Sequence, residues 1–136
     1  AWVKWDPAVN QLQVTNAAHP PPLWIRPDAT ASGQAQTLHS TAGTPLGLGT
    51  SPPAWSEQRV TVAAGDLLLF YTDGLTEAVD VKGRTLVPRR VADWLLEARH
   101  RPIEGARDLL HSRFDDHVAG SVVNDDVTFV LARVAE

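Results

Sequence analysis

The sequence predicts an α+β fold, a mostly antiparallel β-sandwich with helices packed outside. Three observations carry this reading. Short apolar runs alternating with polar residues fill the first half, the period of half-buried strands. Helical spacing appears only in the second half, around Val91–Ala98 and Ile103–Val118. One further apolar run, Val127 to Val134, closes the chain, so the order is strands, two helices, one strand.

Each element has a local cause. Trp2, Val3 and Trp5 begin one strand, and Leu12 and Val14 alternate with Gln11, Gln13 and Thr15 in the next. Asp6–Asn10 supplies the turn, with Pro7 fixing φ and Asn10 able to take φ > 0. So short a connection makes an antiparallel hairpin. Ala17-Ala18-His19-Pro20-Pro21-Pro22 cannot donate a ladder of hydrogen bonds and is a loop. Leu23-Trp24-Ile25 and Gln36-Thr37-Leu38 form two short strands around a polar turn at Pro27–Gly33, and a long Gly-, Thr-, Ser- and Pro-rich loop spans 40–55. Arg59–Val62, a tight turn at 63–66 and Leu67–Tyr71 read as strand, turn, strand. The second of these is apolar on both faces and belongs in a buried, central position. Val91, Trp94, Leu95 and Ala98 share one helix face, with Pro88 in the first turn. Pro102 opens a second helix, whose face carries Ile103, Ala106, Leu110, Phe114 and His117 or Val118, and Gly120 ends it.

Composition narrows the function. The 136 residues amount to one domain, 1–136, and 43% hydrophobic residues is globular rather than disordered composition. With no cysteine, disulfide scaffolds, thiolate zinc sites and cysteine nucleophiles are excluded together. A formal charge of −4 argues against a nucleic-acid binder. No apolar run approaches the ~20 residues of a membrane span, and no signal segment opens the chain. Methionine is also absent, and Ala1-Trp2-Val3 already reads as strand, so the expectation is a piece of a longer protein.

Two acidic spots carry the chemistry. The buried strand Leu67–Tyr71 runs into Thr72-Asp73-Gly74, where the strand holds a carboxylate rigidly and Gly74 leaves room for a ligand. Asn124-Asp125-Asp126 stands directly before the closing strand. Paired carboxylates repel, and a bound cation relieves that cost; hard divalent cations favour such oxygen ligands. Taken singly, each spot reads more simply as a turn, since Asp-Gly is a common turn dipeptide. Together they lie at strand ends in one small antiparallel domain, where both could reach one metal.

Four blocks in order then make the chain resemble the C-terminal half of the metal-dependent protein phosphatase superfamily, in its bacterial sporulation-stage-II-E type. They are Asn16–Leu23, Pro45-Leu46-Gly47, Gly65-Asp66 through Ala78, and Asp125-Asp126-Val127-Thr128. The third is the most specific. Ala18 departs from the pattern, which normally has Gly there. The resemblance implies an αββα four-layer phosphatase fold and hydrolysis of phosphoserine or phosphothreonine by a water activated at a binuclear Mn²⁺ or Mg²⁺ centre. Carried over, Asp73 and Asp125 are metal ligands, Gly74 and Asp126 support the site, and Asn16 and His19 lie in a loop near it. No catalytic residue is implied beyond the ligands. The family's first motif, with its metal-bridging aspartate, has no match here, so the chain alone is expected to be inactive and to bind metal weakly or not at all. Implied partners are a phosphorylated protein such as an anti-sigma-factor antagonist and an upstream sensor or receiver domain, in a cytoplasmic setting. The isolated chain is also expected either to self-associate or to have had its other half removed or left out, because a sheet face with residues such as Leu68, Phe70 and Val130 would lose part of its cover.

Other features read as structural. His39, His100 and His111 have no metal spacing and are assigned to surface or helix faces; Asp115-Asp116-His117 is assigned to a solvated helix face. His19 is assigned to ordering its proline-rich loop. The five tryptophans could suggest carbohydrate stacking, but core packing is the better assignment. The alternatives are a non-catalytic β-sandwich module binding a sugar or protein, and a degenerate phosphatase domain used for docking.

Overall fold

A computed structural model describes residues 1–28, 35–38, 43–48 and 55–135. Strands β1 (Trp2–Asp6) and β2 (Gln11–Thr15) form the expected antiparallel hairpin, with Val3 opposite Val14 and Trp5 opposite Leu12. Asn10 takes φ +48° in its turn. Strand β5 (Glu57–Thr61) pairs with the other edge of β2, giving a three-stranded sheet in the order β1-β2-β5. Strands β3 (Leu23–Ile25), β4 (Gln36–Thr37), β6 (Leu67–Tyr71) and β7 (Phe129–Arg133) form the second sheet, in the order β4-β3-β6-β7. All of its pairings are antiparallel.

The turn after β5 therefore joins two sheets rather than closing a hairpin. Asp66 anchors it. Its carboxylate is fully buried and accepts hydrogen bonds from Trp24 Nε1 (2.9 Å) and the Ala63 amide (3.0 Å). The main chain of Asp66 adds a bond from the Val134 amide to its carbonyl. A buried carboxylate must be hydrogen-bonded to be tolerated, and here it fixes where β6 starts.

Burial on both faces of β6 has a direct explanation. Leu67, Leu69 and Tyr71 pack with Leu23 and Ile25 against helices α2 (Pro88–Ala98) and α3 (Ile103–Val118). Leu68 faces the other way, into a second core with Leu12, Val14, Trp24, Val60 and Val62. The described residues thus build three layers: three-stranded sheet, four-stranded sheet, helices. In α2 the expected face is buried in full, at Val91, Trp94, Leu95 and Ala98. In α3 only Ala106 and Leu110 are fully buried. Gly120 takes φ +80° just beyond its end.

Several expectations need correction. A short helix, α1 (Asp73–Glu77), follows β6 directly and adds an element to the sequence-read order. The last strand is shorter than Val127–Val134, because the β6–β7 ladder runs only from Tyr71–Phe129 to Leu67–Arg133. Core packing holds for Trp24 and Trp94 but not for Trp2, Trp5 and Trp55, which are 53%, 47% and 38% exposed. Trp2 and Trp5 sit on the edge strand β1; Trp55 lies over Gly43 and donates to the Thr44 carbonyl. Leu68 is covered by the three-stranded sheet, whereas Val130 is 56% exposed. Cover on that face thins towards the end of β6 that carries Asp73. The turn assigned to 27–33 and the loop at 40–55 lie partly outside the described residues, and His39 lies wholly outside them.

Candidate metal centre

The candidate centre is built where β6 ends and β7 begins. Tyr71 is paired with Phe129, and the next residue, Thr72, continues the contact by other means. Its amide donates to the Thr128 carbonyl at 3.0 Å. Its hydroxyl accepts from the Thr128 amide at 3.1 Å and lies 3.2 Å from the Asp126 carbonyl. Asp73 then opens α1, and Gly74 comes so close to the facing segment that a Cβ there would lie 2.5 Å from the Asp126 carbonyl oxygen. The two acidic spots, more than 50 residues apart in sequence, are thereby pressed together through their backbones.

The donor set is oxygen-only. Asp73 and Asp125 each use one carboxylate oxygen to accept an amide, Gly74 at 3.1 Å and Asp126 at 2.8 Å. The four ion pairs among the described residues lie elsewhere and leave Asp73, Asp125 and Asp126 without a cationic side chain. Such a set fits a hard divalent cation, which needs only one or two carboxylates with water completing its shell. Among the described residues, however, no three His, Asp or Glu side chains converge. These residues fit a share of one cation site, not a complete binuclear one.

A cavity of about 160 Å³ adjoins the centre, bounded by Gly74, Glu77 and Val79 on one side and Val122, Val123 and Asp125 on the other. The C-terminal end of α3 braces it. Ser121 Oγ donates to the Val79 carbonyl at 2.7 Å, and His117 Nε2 lies 3.3 Å from the Ala78 carbonyl. His117 is therefore not on a solvated face as expected, although Asp115 and Asp116 are exposed. Burial pushes the phenol of Tyr71, the last residue of β6, above its ordinary value.

Asn16 and His19 are held together in a separate loop. The buried Asn16 side chain donates to the His19 carbonyl at 2.7 Å and accepts the His19 amide at 2.9 Å. His19 Nδ1 lies 2.9 Å from the Pro20 carbonyl, in keeping with a role in ordering that loop. Ala18 between them takes φ +62°, a left-handed conformation that a glycine would adopt without strain. None of these hydrogen bonds reaches Asp73 or Asp125. His100 and His111 are exposed, with the His111 ring 4.8 Å from that of Phe129.

Sequence reading missed Thr72. A Thr before a short acidic segment is a helix N-cap signal, but α1 has only five residues and shows no periodicity to expose it.

Two face-to-face antiparallel sheets with helices outside, and carboxylates gathered at one strand end, give the architecture of PP2C-type phosphatase domains. The chain belongs to the Stage II sporulation protein E family, whose model matches residues 2–135. It is similar to the SiaA-PP2C domain of Pseudomonas aeruginosa, with 22% identity over 97% of this chain and 49% of that one, at a TM-score of 0.77. The structure of the RsbU and RsbW domains of a Mycobacterium tuberculosis protein matches with 32% identity over 98% of this chain and 35% of that one, at a TM-score of 0.71. The Mn-presoaked phosphatase domain of SpoIIE, a cell fate determinant of Bacillus subtilis, matches at 17% identity over 98% of this chain and 55% of that one, with a TM-score of 0.65. The chain thus spans between about a third and just over half the length of these structures.

Proposed function

We propose that residues 1–136 form the C-terminal portion of a phosphoserine/phosphothreonine protein phosphatase domain, to which they contribute Asp73 and Asp125 as ligands for Mn²⁺ or Mg²⁺. The observation that carries this is the close backbone approach of Gly74 to Asp126, which sets two otherwise unpaired carboxylate segments side by side. When bound, such cations lower the pKa of water and offset charge on a transferring phosphoryl group. The chain's own residues hold and orient: β6 fixes Asp73, the segment before β7 fixes Asp125, and Gly74 lets the two approach. Asp126 supports the centre through its backbone. A third, bridging carboxylate has to come from residues outside this set, so the chain by itself is inactive on phosphoserine peptide.

Membership of the family and the Mn-presoaked state of one similar structure support the metal assignment. Partners follow from the neighbours. The RsbU and RsbW domains joined in one protein, and a SpoIIE structure with a fragment of its regulatory domain, favour an upstream sensor or receiver domain and a phosphorylated anti-sigma-factor antagonist as substrate. No helix among the described residues is long and apolar enough to cross a membrane, which accords with a cytoplasmic setting. The exposed Val130 on edge strand β7 favours self-association. A compact, metal-independent monomer in size-exclusion chromatography would count against that last point.

The test is calorimetric titration of Mn²⁺ into the chain and into Asp73→Asn and Asp125→Asn variants. Saturable binding, weak in the parent and lost in both variants, is expected. Parent binding that survives in both variants would overturn the assignment. Turnover of phosphoserine peptide by the chain above a metal-free control would refute the need for a further carboxylate.

A further inference from the structure

We infer that Thr72 is a positioning residue, whose hydroxyl sets the Asp125–Asp126 segment against Asp73. The inference rests on the reading of Asp73 and Asp125 as partners in one centre. Thr72 occupies the N-cap of α1, with φ −82° and ψ 160°, the position where a threonine hydroxyl ordinarily accepts an amide of its own helix. It makes no such bond. The hydroxyl instead faces the strand opposite, where it accepts the Thr128 amide at 3.1 Å and has the Asp126 carbonyl within 3.2 Å and the Thr128 carbonyl within 3.4 Å. A hydroxyl has one proton and two lone pairs, so it can accept from Thr128 and donate to one carbonyl at a time, the Asp126 oxygen being nearer.

The location explains why this matters. The β6–β7 ladder stops at Tyr71–Phe129. Beyond it, the Thr72 amide to the Thr128 carbonyl is one last backbone link, and residues 126–128 are outside any strand. The Thr72 hydroxyl extends the pairing past the ladder's end, to the carbonyl that the absent side chain at Gly74 leaves room for. Asp73 and Asp125 flank this junction, so the relative placement of their carboxylates depends on it. The cost is a helix α1 without its side-chain cap, which a threonine with no other task would supply.

The experiment compares Thr72→Val, which keeps the shape and loses the hydroxyl, with Thr72→Ser, which keeps the hydroxyl, and with Thr72→Ala. Amide exchange with water is measured residue by residue by NMR. The expected result is exchange about tenfold faster at Thr128, whose amide the hydroxyl accepts, in the Val and Ala variants, the loss of roughly one hydrogen bond. Exchange in α2 and α3 should be unchanged, and the Ser variant should match the parent. Parent-like exchange at Thr128 in the Val and Ala variants would overturn the inference. So would faster exchange spread evenly over the domain, or failure of Ser to restore protection. Should Val fail to fold, Ala and Ser give the same decision. Added Mn²⁺ provides a separate reading in the parent: paramagnetic broadening centred on Gly74 and Asp126 reports the metal assignment, and broadening centred elsewhere counts against that assignment without altering the exchange comparison.

Discussion

Gly74→Ala isolates the contact that joins the two acidic segments. Gly74 lies inside α1 with ordinary negative φ, so the backbone conformation itself accepts alanine. On an exposed helix the exchange would stabilise by about 0.5–1 kcal/mol, since glycine loses more conformational freedom on folding. Here the new Cβ would lie 2.5 Å from the Asp126 carbonyl oxygen and 3.1 Å from its carbon. Those are backbone atoms, held by the Thr72–Thr128 bonds, and cannot rotate away as a side-chain tip would. Overpacking of this kind costs about 1–3 kcal/mol. The clash outweighs the helix gain, leaving a net loss of about 1–2 kcal/mol and a Tm lower by roughly 4–8 °C for a domain of this size. Gly105→Ala is the internal control. It lies in α3, where a Cβ would meet only Arg101 and Pro102 side-chain atoms at 3.7 and 3.9 Å, so it should gain about 0.4–1 kcal/mol. Urea unfolding of the two variants beside the parent gives both signs in one series. Gly74→Ala as stable as the parent would refute the close approach, and with it the argument that residues 73 and 125 share a centre.

The remaining predictions concern two other carboxylates. Asp66→Ala removes the acceptor for Trp24 Nε1 and the Ala63 amide in a fully buried turn and should cost about 2–5 kcal/mol, read from urea midpoints, because buried donors left unpaired lose their full solvation. A loss under about 1 kcal/mol would show that water reaches the turn. Asp80 is held down to about 2, first by the Arg84 amide, then by the Arg84 guanidinium and the Lys82 amide. Its folded value lies below the unfolded one, so its contribution to stability is present above about pH 4 and fades as the pH falls towards 2. A carboxyl-detected NMR titration should place Asp80 there, and Arg84→Gln should raise it only part of the way, since both backbone amides remain. An ordinary carboxylate midpoint in the parent would refute the assignment.

How much was legible in the sequence follows from which contacts are local. The β1–β2 hairpin, the buried face of α2 and the double-sided burial of β6 were readable because periodicity and turn chemistry act over a few residues. Asp73 and Asp125 stood out because each follows or precedes an apolar run. Asn16 and His19 were readable as a loop pair, since their hydrogen bonds span three residues. The short helix α1 was not, having too few residues for a period; Trp2 and Trp5 were misplaced because edge position is a property of the sheet and not of the strand, and Trp55 because it lies outside any strand, against Gly43.

The sequence by itself determined the order of elements apart from α1, the apolar faces and the two acidic spots, all encoded in near-neighbour spacing. Tertiary structure alone decided that the turn at 63–66 changes sheets, that Asp66 is buried against Trp24, and that Thr72 reaches across to residues 126–128. Each of those depends on contacts between residues 42 to 56 apart in the chain. Which partner such a side chain meets is fixed by how two sheets stack, and no local pattern of residues records that.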